Sequence, residues 1–201
     1  MAKFVHLTFD SPAPDLELSA ATGEMMRLAS LWASRPLLLV FIRHFGCPQC
    51  KELLDFLTGN SARLEAAGLG VAIVTQGTVP ETAEFCREHA PGLLCLADPQ
   101  RQAYRAYQVE RGGLRQTFLS PRVWRSNQRA AQTKGYQTEF PPPGQDAMQM
   151  AALFVISREG RIRLPYYYGD IADHPPIELL LGGVLSTGWD TPYNAPLGPQ
   201  H

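Results

Sequence analysis

The sequence is short of long apolar runs, net charge and cysteine, and each shortage excludes a class of protein. Its longest apolar run, at 36–42, is about a third of the length that a membrane-spanning helix needs. The formal net charge is only −1, so nothing favours a nucleic acid or a membrane surface as a partner. Four cysteines in 201 residues are too few for a disulfide-rich secreted scaffold.

The N-terminus also lacks the features of a secretory signal. Residues 1–10 contain one lysine and no apolar core that ends in a small-residue cleavage site. We therefore expect a soluble, cytoplasmic protein. In a reducing compartment, a close pair of cysteines indicates redox or metal chemistry.

Strand and helix patterns alternate along the first half of the chain. Continuously apolar segments at 36–42, 69–75 and 93–97 are typical of parallel strands that are buried on both faces. Helical spacing over 51–67, and proline-initiated segments at 80–89 and 98–107, follow these strands in turn. This order predicts an α/β protein with helices on both faces of a central sheet.

The later part of the chain completes this pattern after an interruption. Segments 151–156 and 162–168 predict an antiparallel strand pair, and 176–185 predicts a closing helix. The pattern breaks at 111–150, where glycines and prolines bracket a short predicted helix.

We interpret 111–150 as an insertion within a single domain spanning 1–201, since about 40 residues hold too few apolar side chains for a core of their own. Residues 187–201 are rich in proline and glycine and predict an irregular tail. The insertion also carries clustered arginines, which we expect to form a solvated surface: Arg111, Arg115, Arg122, Arg125 and Arg129.

The Cys47-Pro48-Gln49-Cys50 motif lies between the clearest predicted strand and the helix that follows it. Sites in open α/β sheets gather at the carboxyl ends of strands. The first turn of a helix offers unpaired N–H groups and a positive dipole end, which favour a thiolate at Cys47. Residues three apart share a helix face, so Cys50 can attack a mixed disulfide or sulfenic acid formed on Cys47. We therefore predict Cys47 as the attacking cysteine and Cys50 as the resolving one.

Two basic residues precede this motif. Arg43 is a candidate to hold Cys47 ionised, because a cation just past a strand end is hard to explain by packing. His44 is more often structural than a proton shuttle in such a position.

Zinc and an inert cysteine pair are the alternatives to redox chemistry. Zinc needs a second ligand pair, but Cys86 and Cys95 lie nine residues apart and no His-x₃₋₅-His pair exists. We expect Cys86 and Cys95 to be small buried core residues, and we expect neither a metal ion nor a cofactor.

These residues together resemble the peroxiredoxin-like branch of the AhpC/TSA (alkyl hydroperoxide reductase / thiol-specific antioxidant) family. Segment 41–51 resembles that group's strand ending in Phe-x-Arg-x-x-x-Cys-x-x-Cys, and the segments at 97–107 and 153–162 are also similar. The resemblance implies a thioredoxin-like fold with a central mixed sheet and a redox-active cysteine. It also implies a peroxide or disulfide substrate and a thioredoxin- or glutathione-type thiol reductant. Relatives of this fold often dimerise, so a homodimer is one expected assembly.

The sequence departs from that family at several positions. His44 stands three residues before Cys47, where typical peroxiredoxins have threonine, and Val40 stands seven residues before it, where they have proline. The segment 150–152, Met-Ala-Ala, carries neither the arginine of peroxiredoxins nor the cis-proline of thioredoxins. These differences favour disulfide exchange over fast peroxidase activity.

Three functions remain open from the sequence. The first is a thiol–disulfide redox protein that uses Cys47 and Cys50, and the second is a thiol peroxidase that reduces hydrogen peroxide or organic hydroperoxides. The third is a non-catalytic binding protein that retains the fold. Access to Cys47 separates them, because both enzyme functions need a path from solvent to its sulfur.

Overall fold

Seven β-strands form the framework of the protein, which the computed structural model describes over residues 6–185. The tail predicted at 187–201 lies outside the described residues. In chain order the strands are β1 (Glu17–Ala20), β2 (Met25–Arg27), β3 (Leu37–Phe41), β4 (Gly70–Thr75), β5 (Leu94–Ala97), β6 (Ala152–Ile156) and β7 (Ile162–Tyr167).

These strands form one sheet in the order β2-β1-β5-β4-β3-β6-β7. Strand β4 pairs in parallel with both β3 and β5, as the buried apolar segments predict. Strand β6 pairs antiparallel with β3 and with β7, and β1 pairs antiparallel with β5. The predicted mixed sheet and the predicted antiparallel pair at its edge are both confirmed.

Seven α-helices connect and cover the strands in the described part of the chain. They are α1 (Leu28–Trp32), α2 (Pro48–Gly59), α3 (Ser61–Ala66), α4 (Val79–His89), α5 (Gln102–Ala106), α6 (Pro121–Lys134) and α7 (Ile177–Leu185). A single π-helical turn, Arg115–Leu119, precedes α6.

The prediction of a single helix over 51–67 is wrong in one respect, because two helices occupy this segment. Helix α2 ends at Gly59 and α3 begins at Ser61. At the junction, the side-chain amide of Asn60 donates to the Phe56 carbonyl at 2.8 Å. Glycine and asparagine are weak helix formers, and asparagine side chains compete for backbone hydrogen bonds, so the helix breaks here.

The position of strand β3 within the sheet explains why its sequence is continuously apolar. Leu38 and Val40 pack into the core on one face of the sheet, together with residues of α2, α4 and α7. Leu39 and Phe41 pack into a second core on the other face, with residues of α1 and α5. Both faces of the strand are covered, as in other α/β sheets. The first core contains all four cysteines.

The segment at 111–150, which the sequence predicts to be an insertion and which is called the insertion below, starts and ends at neighbouring positions. The Gly112 amide donates to the Met148 carbonyl at 2.7 Å, and the Met150 amide donates to the Glu110 carbonyl at 3.1 Å. Several of its arginines pair with carboxylates instead of facing only solvent. Arg111 pairs with Asp146 within the insertion. Two others tie the insertion to the rest of the protein: Arg122 pairs with Asp170 and Asp173, and Arg129 pairs with Glu52.

No helix within residues 6–185 is long and apolar enough to cross a membrane.

Candidate active site around Cys47

The fold brings Arg43, Cys47 and Cys50 together at the carboxyl end of β3. Arg43 lies two residues past the strand end, Cys47 directly precedes helix α2, and Cys50 lies in its first turn. All three residues are buried, with Cys47 only 1 % exposed. Pro48 occupies the first helical position, where a missing N–H costs no hydrogen bond.

The side chain of Arg43 binds the sulfur of Cys47. Its Nη1 lies 3.2 Å from Cys47 Sγ, and its Nε donates to the Gln149 carbonyl at 2.9 Å. Its Nη2 donates to the carbonyl of Ala147. Two carbonyls from the end of the insertion therefore fix the guanidinium, which leaves its remaining edge directed at the thiol.

Two glutamine side chains hold this arrangement, and no motif in the sequence points to either of them. Gln76 donates to the Arg43 carbonyl, and its own carbonyl accepts the Asp146 amide at 2.9 Å. Gln149 donates to the Val109 carbonyl at 2.7 Å and so anchors the backbone that binds Arg43. The signal for Gln76 is its position directly after β4, whose carboxyl end lies beside that of β3.

The two active-site thiols differ in acidity. Burial by itself raises the pKa of Cys47, but hydrogen bonds from the thiol and backbone of Cys50, with the charge of Arg43, outweigh burial and lower this pKa to about 6. Burial and the neighbouring Cys47 raise the pKa of Cys50 well above its usual value. At neutral pH the arrangement therefore favours a thiolate at Cys47 and a protonated thiol at Cys50.

Further titratable groups lie close to Cys47. Burial, followed by the charge of Arg43, lowers the pKa of His44 to about 4, so its imidazole is neutral at physiological pH. Burial keeps the pKa of Tyr168 well above its usual value, and both thiols contribute to this rise. Glu139, from the insertion, lines a cavity beside Cys47. Arg43 is thus the group in this set that carries a positive charge at neutral pH.

A cavity of about 300 Å³ lies beside Cys47 and is lined mainly by apolar atoms. Its floor includes Cys47, Arg43 and Pro48, and its outer wall includes Phe140 and Pro141 of the insertion. Phe140 is 97 % exposed, so the cavity lies between the protein surface and the buried Cys47. A cavity in this position is compatible with both enzyme functions.

The outer wall of the cavity packs directly against the turn that carries Cys47. The Glu139 amide donates to the Gly46 carbonyl at 3.0 Å. A Cβ added to Gly46 would lie 2.8 Å from the Phe140 carbonyl oxygen, so only glycine allows this close approach. The insertion is therefore part of the site, a contact that its sequence does not predict.

Helix α6 of the insertion also reaches the motif. Gln49 is buried, and its amide nitrogen donates to Asn127 Oδ1 at 2.5 Å. Its carbonyl oxygen lies 3.5 Å from Cys47 Sγ and accepts from the thiol when Cys47 is protonated. Gln49 thereby connects the reactive sulfur to the insertion.

Cys86 and Cys95 are more than the small core residues expected, because they form a disulfide. Their Cα atoms lie 6.6 Å apart, and the bond joins helix α4 to strand β5. Both are buried as expected, but the antiparallel return from the helix to the strand places them opposite each other. Within residues 6–185, no group of three or more His, Cys, Asp or Glu side chains is arranged to hold a metal ion.

Comparison with known proteins identifies the family. The sequence model of the AhpC/TSA family matches residues 9–164. The chain belongs to the AhpC/TSA family. The resemblance seen in the sequence is thereby confirmed.

Relatives of known sequence are distant. Peroxiredoxin-like 2C of Bos taurus is 23 % identical over 173 residues, which covers 83 % of this chain and 75 % of that protein. Prostamide/prostaglandin F synthase of Salmo salar is 26 % identical over 171 residues and covers 80 % of each chain. Thioredoxin-like protein AAED1 of Arabidopsis thaliana, a chloroplastic protein, is 24 % identical over 90 residues. That match covers 45 % of this chain and 36 % of the Arabidopsis protein, so the chain spans well under half of this relative.

Solved structures confirm the thioredoxin-like fold of this AhpC/TSA member. Peroxidoxin BcpB of Mycobacterium tuberculosis superposes with a TM-score of 0.64 at 16 % identity, over 90 % of this chain and 97 % of that one. A peroxiredoxin-like protein of Aquifex aeolicus superposes with a TM-score of 0.64 at 13 % identity, over 90 % and 88 % of the two chains.

Proposed function

We propose that this protein is a thiol–disulfide oxidoreductase in which Cys47 attacks and Cys50 resolves. The observation that carries the proposal is the 3.2 Å contact between Arg43 Nη1 and Cys47 Sγ. This contact stabilises the thiolate form of Cys47, which is the nucleophilic form. The opposite pKa shifts of the two thiols give each cysteine a separate role.

The exchange proceeds in two displacements. The Cys47 thiolate attacks one sulfur of a disulfide substrate, which breaks the S–S bond and releases one half of the substrate as a thiolate. Cys50 then attacks Cys47 Sγ, forms the Cys47–Cys50 disulfide and releases the other half. The proton of Cys50 passes to the second departing sulfur, and the first departing thiolate takes its proton from solvent, so the substrate gains two electrons from the protein and two protons in total. A thioredoxin- or glutathione-type thiol reductant returns the pair to its reduced state.

Cys50 is well placed for the second displacement. The Arg43 amide lies 3.2 Å from Cys50 Sγ, so the residue that holds Cys47 with its side chain also holds Cys50 with its backbone. This amide stabilises negative charge on Cys50 as its proton leaves. Since burial raises the pKa of Cys50, its thiol stays protonated until Cys47 has reacted.

Trapping experiments test the assignment of the two cysteines. Reduced protein is treated with hydroxyethyl disulfide, and its products are identified by intact mass and peptide mapping. The wild type is expected to form a Cys47–Cys50 disulfide, whereas Cys50→Ser is expected to retain the mixed disulfide on Cys47. Formation of neither product, with reactivity unchanged in Cys47→Ser, would show that the assignment is wrong.

Peroxidase activity at the same cysteine is the second candidate, and the cavity beside Cys47 supports it. The thiolate would attack one oxygen of a hydroperoxide, and the other oxygen would leave as an alkoxide that takes up a proton. Cys50 would then displace water from the sulfenic acid. Arg43 supplies a positive charge near the reacting oxygens, but His44 occupies the position of the usual threonine and is neutral.

Stopped-flow kinetics distinguish the two candidates. A peroxidase requires loss of the Cys47 thiolate with hydrogen peroxide or cumene hydroperoxide at a rate far above that of glutathione at the same pH. Dimedone labelling of Cys47 in Cys50→Ser would identify the sulfenic acid. A peroxide rate equal to that of glutathione, together with fast exchange with disulfides, would leave disulfide exchange as the function.

A further inference from the structure

The Cys86–Cys95 disulfide is the cysteine pair that the proposed chemistry does not use. Cys86 lies in the second half of helix α4, and Cys95 lies in strand β5 beside β4. The two residues are 5 % and 2 % exposed, and they belong to the same core as Cys47 and Cys50. The bond therefore fixes one turn of α4 to β5, the strand beside the central strand β4.

An aromatic stack links that helix to the turn that carries Cys47. Phe85, next to Cys86, stacks on Phe45 with ring centroids 4.1 Å apart and planes 20° from parallel. Phe45 lies two residues before Cys47. Any shift of this part of α4 therefore acts directly on the active-site turn.

Phe45 has little freedom to absorb such a shift. Its ring lies against the backbone of Gly77, where an added Cβ would come within 2.6 Å of the ring carbons. Its amide donates to Gln145 Oε1 at 3.0 Å. Contacts this close leave no room for the ring to move independently of its neighbours.

The same turn determines the geometry of the reactive sulfur. The Cys47 amide donates to the His44 carbonyl at 3.1 Å, and this hydrogen bond closes the turn around Phe45. The contact of Cys47 Sγ with Arg43 depends on the same five residues. A displacement of Phe45 would therefore lengthen the contact that favours the thiolate.

We propose that the Cys86–Cys95 disulfide is a second thiol–disulfide site with a positioning role: it remains oxidised while Cys47 and Cys50 react, and it holds the Cys47 turn in place through Phe85 and Phe45. Burial explains why it persists, since a thiolate must reach one of the two sulfurs to break the bond. Its reduction by a dithiol transfers two electrons and two protons to the protein, and it requires α4 to separate locally from β5.

Thiol mapping tests the first half of this inference. Protein purified without reductant is treated briefly with dithiothreitol at low concentration, alkylated in its folded state, and mapped by mass spectrometry. We expect alkylation at Cys47 and Cys50, while Cys86 and Cys95 become alkylated only after unfolding with reductant. Free Cys86 and Cys95 before any reductant, or their reduction as fast as that of Cys47 and Cys50, would overturn the inference. Because disulfides persist mainly in oxidising compartments, the same map bears on the expected cytoplasmic location.

Variants test the positioning role without any assumption about the substrate. The Cys86→Ala/Cys95→Ala protein and Phe85→Leu, which keeps the bond, are compared with wild type by the rate of Cys47 alkylation at pH 5. We expect both variants to react about threefold more slowly, as a half-unit rise in the pKa of Cys47 requires. The control is Tyr107→Phe, which loses a 2.8 Å hydrogen bond to the Pro14 carbonyl on the opposite face of the sheet. It should lose stability but react at the wild-type rate.

Each result of this comparison is decisive. Wild-type alkylation rates in the double variant, with only a lower melting temperature, would show that the bond stabilises the fold but positions nothing. If the double variant does not fold, Phe85→Leu decides, and a wild-type rate there overturns the positioning role. Whether Cys47 and Cys50 exchange with a disulfide substrate is measured separately, so this inference and the proposed function can fail independently.

Discussion

The guanidinium of Arg43 lies 3.2 Å from the sulfur of Cys47, four residues along the chain and on the same turn. Residues outside that turn fix the position of the guanidinium, because its other side donates hydrogen bonds to the carbonyls of Ala147 and Gln149. Those residues are 104 and 106 positions away in the sequence. The acidity of Cys47 therefore depends on a contact between the motif and the end of the insertion.

Substitution of Arg43 is expected to raise the pKa of Cys47. Arg43→Lys retains the charge but cannot reach the sulfur and both carbonyls at once, whereas Arg43→Gln loses the charge. We expect the pKa to rise by about one unit in the lysine variant and by more in the glutamine variant. The pH dependence of thiol alkylation measures the change, with Arg63→Gln as the surface control. A pKa unchanged in Arg43→Gln would contradict this role.

The reaction of Cys47 should follow a single ionisation near pH 6. Only the thiolate reacts with iodoacetamide, so the rate should fall about tenfold for each pH unit below the pKa and level off above it. Cys50, whose pKa is raised, should remain unlabelled at neutral pH. Peptide mapping after partial alkylation checks which thiol reacts. Preferential labelling of Cys50, or a midpoint near that of an ordinary thiol, would be inconsistent with the described geometry.

Gly46→Ala is expected to damage both the fold and the site. The new methyl group would collide with the Glu139–Phe140 backbone, so the outer wall of the cavity must move away. We expect a loss of about 1–3 kcal/mol in the free energy of unfolding and a change in the reaction rate of Cys47 with bulky substrates. The matched control is Gly59→Ala, where nothing lies within 4 Å of the added Cβ. If the two variants have equal free energies of unfolding in urea, the close approach of Gly46 to the Glu139–Phe140 backbone is refuted.

Stability should fall as the pH drops below about 6.5, because two buried histidines must take up protons. Burial lowers the pKa of His44 and of His174 to about 4, so the unfolded chain binds more protons than the folded one between pH 4 and 6.5. The free energy of unfolding therefore rises with pH through this window. A shift of this size at His174 corresponds to about 3 kcal/mol.

Urea unfolding at several pH values measures this dependence. In His174→Asn the free energy of unfolding should rise less steeply with pH between pH 4 and 6.5. Its stability at neutral pH should also fall, because the hydrogen bond with Tyr168 is altered. Thr133→Ala, an exposed substitution that removes no titratable group, should retain the wild-type slope. An identical slope in all three proteins would show that His174 does not contribute.

Local patterns account for most of what could be predicted. The continuous apolar run of β3 predicts a doubly covered strand, and the spacing of Cys47 and Cys50 predicts that the two thiols share one helical turn. The sequence pattern does not predict the break at Asn60, because the apolar spacing of α2 continues into α3. Periodicity reports which face is buried, but it does not report whether the backbone continues through a weak helix former.

The sequence by itself determined the order of strands and helices, the place of the Cys-Pro-Gln-Cys motif and its adjacent arginine, because these depend on residues close along the chain. Only the tertiary structure decided what surrounds the motif. The carbonyls that hold Arg43, the side chain of Gln76, the cavity wall at 138–141 and the Cys86–Cys95 bond all join separate elements. Such contacts form when the insertion packs against the sheet, so no local pattern of residues predicts the distances between these groups.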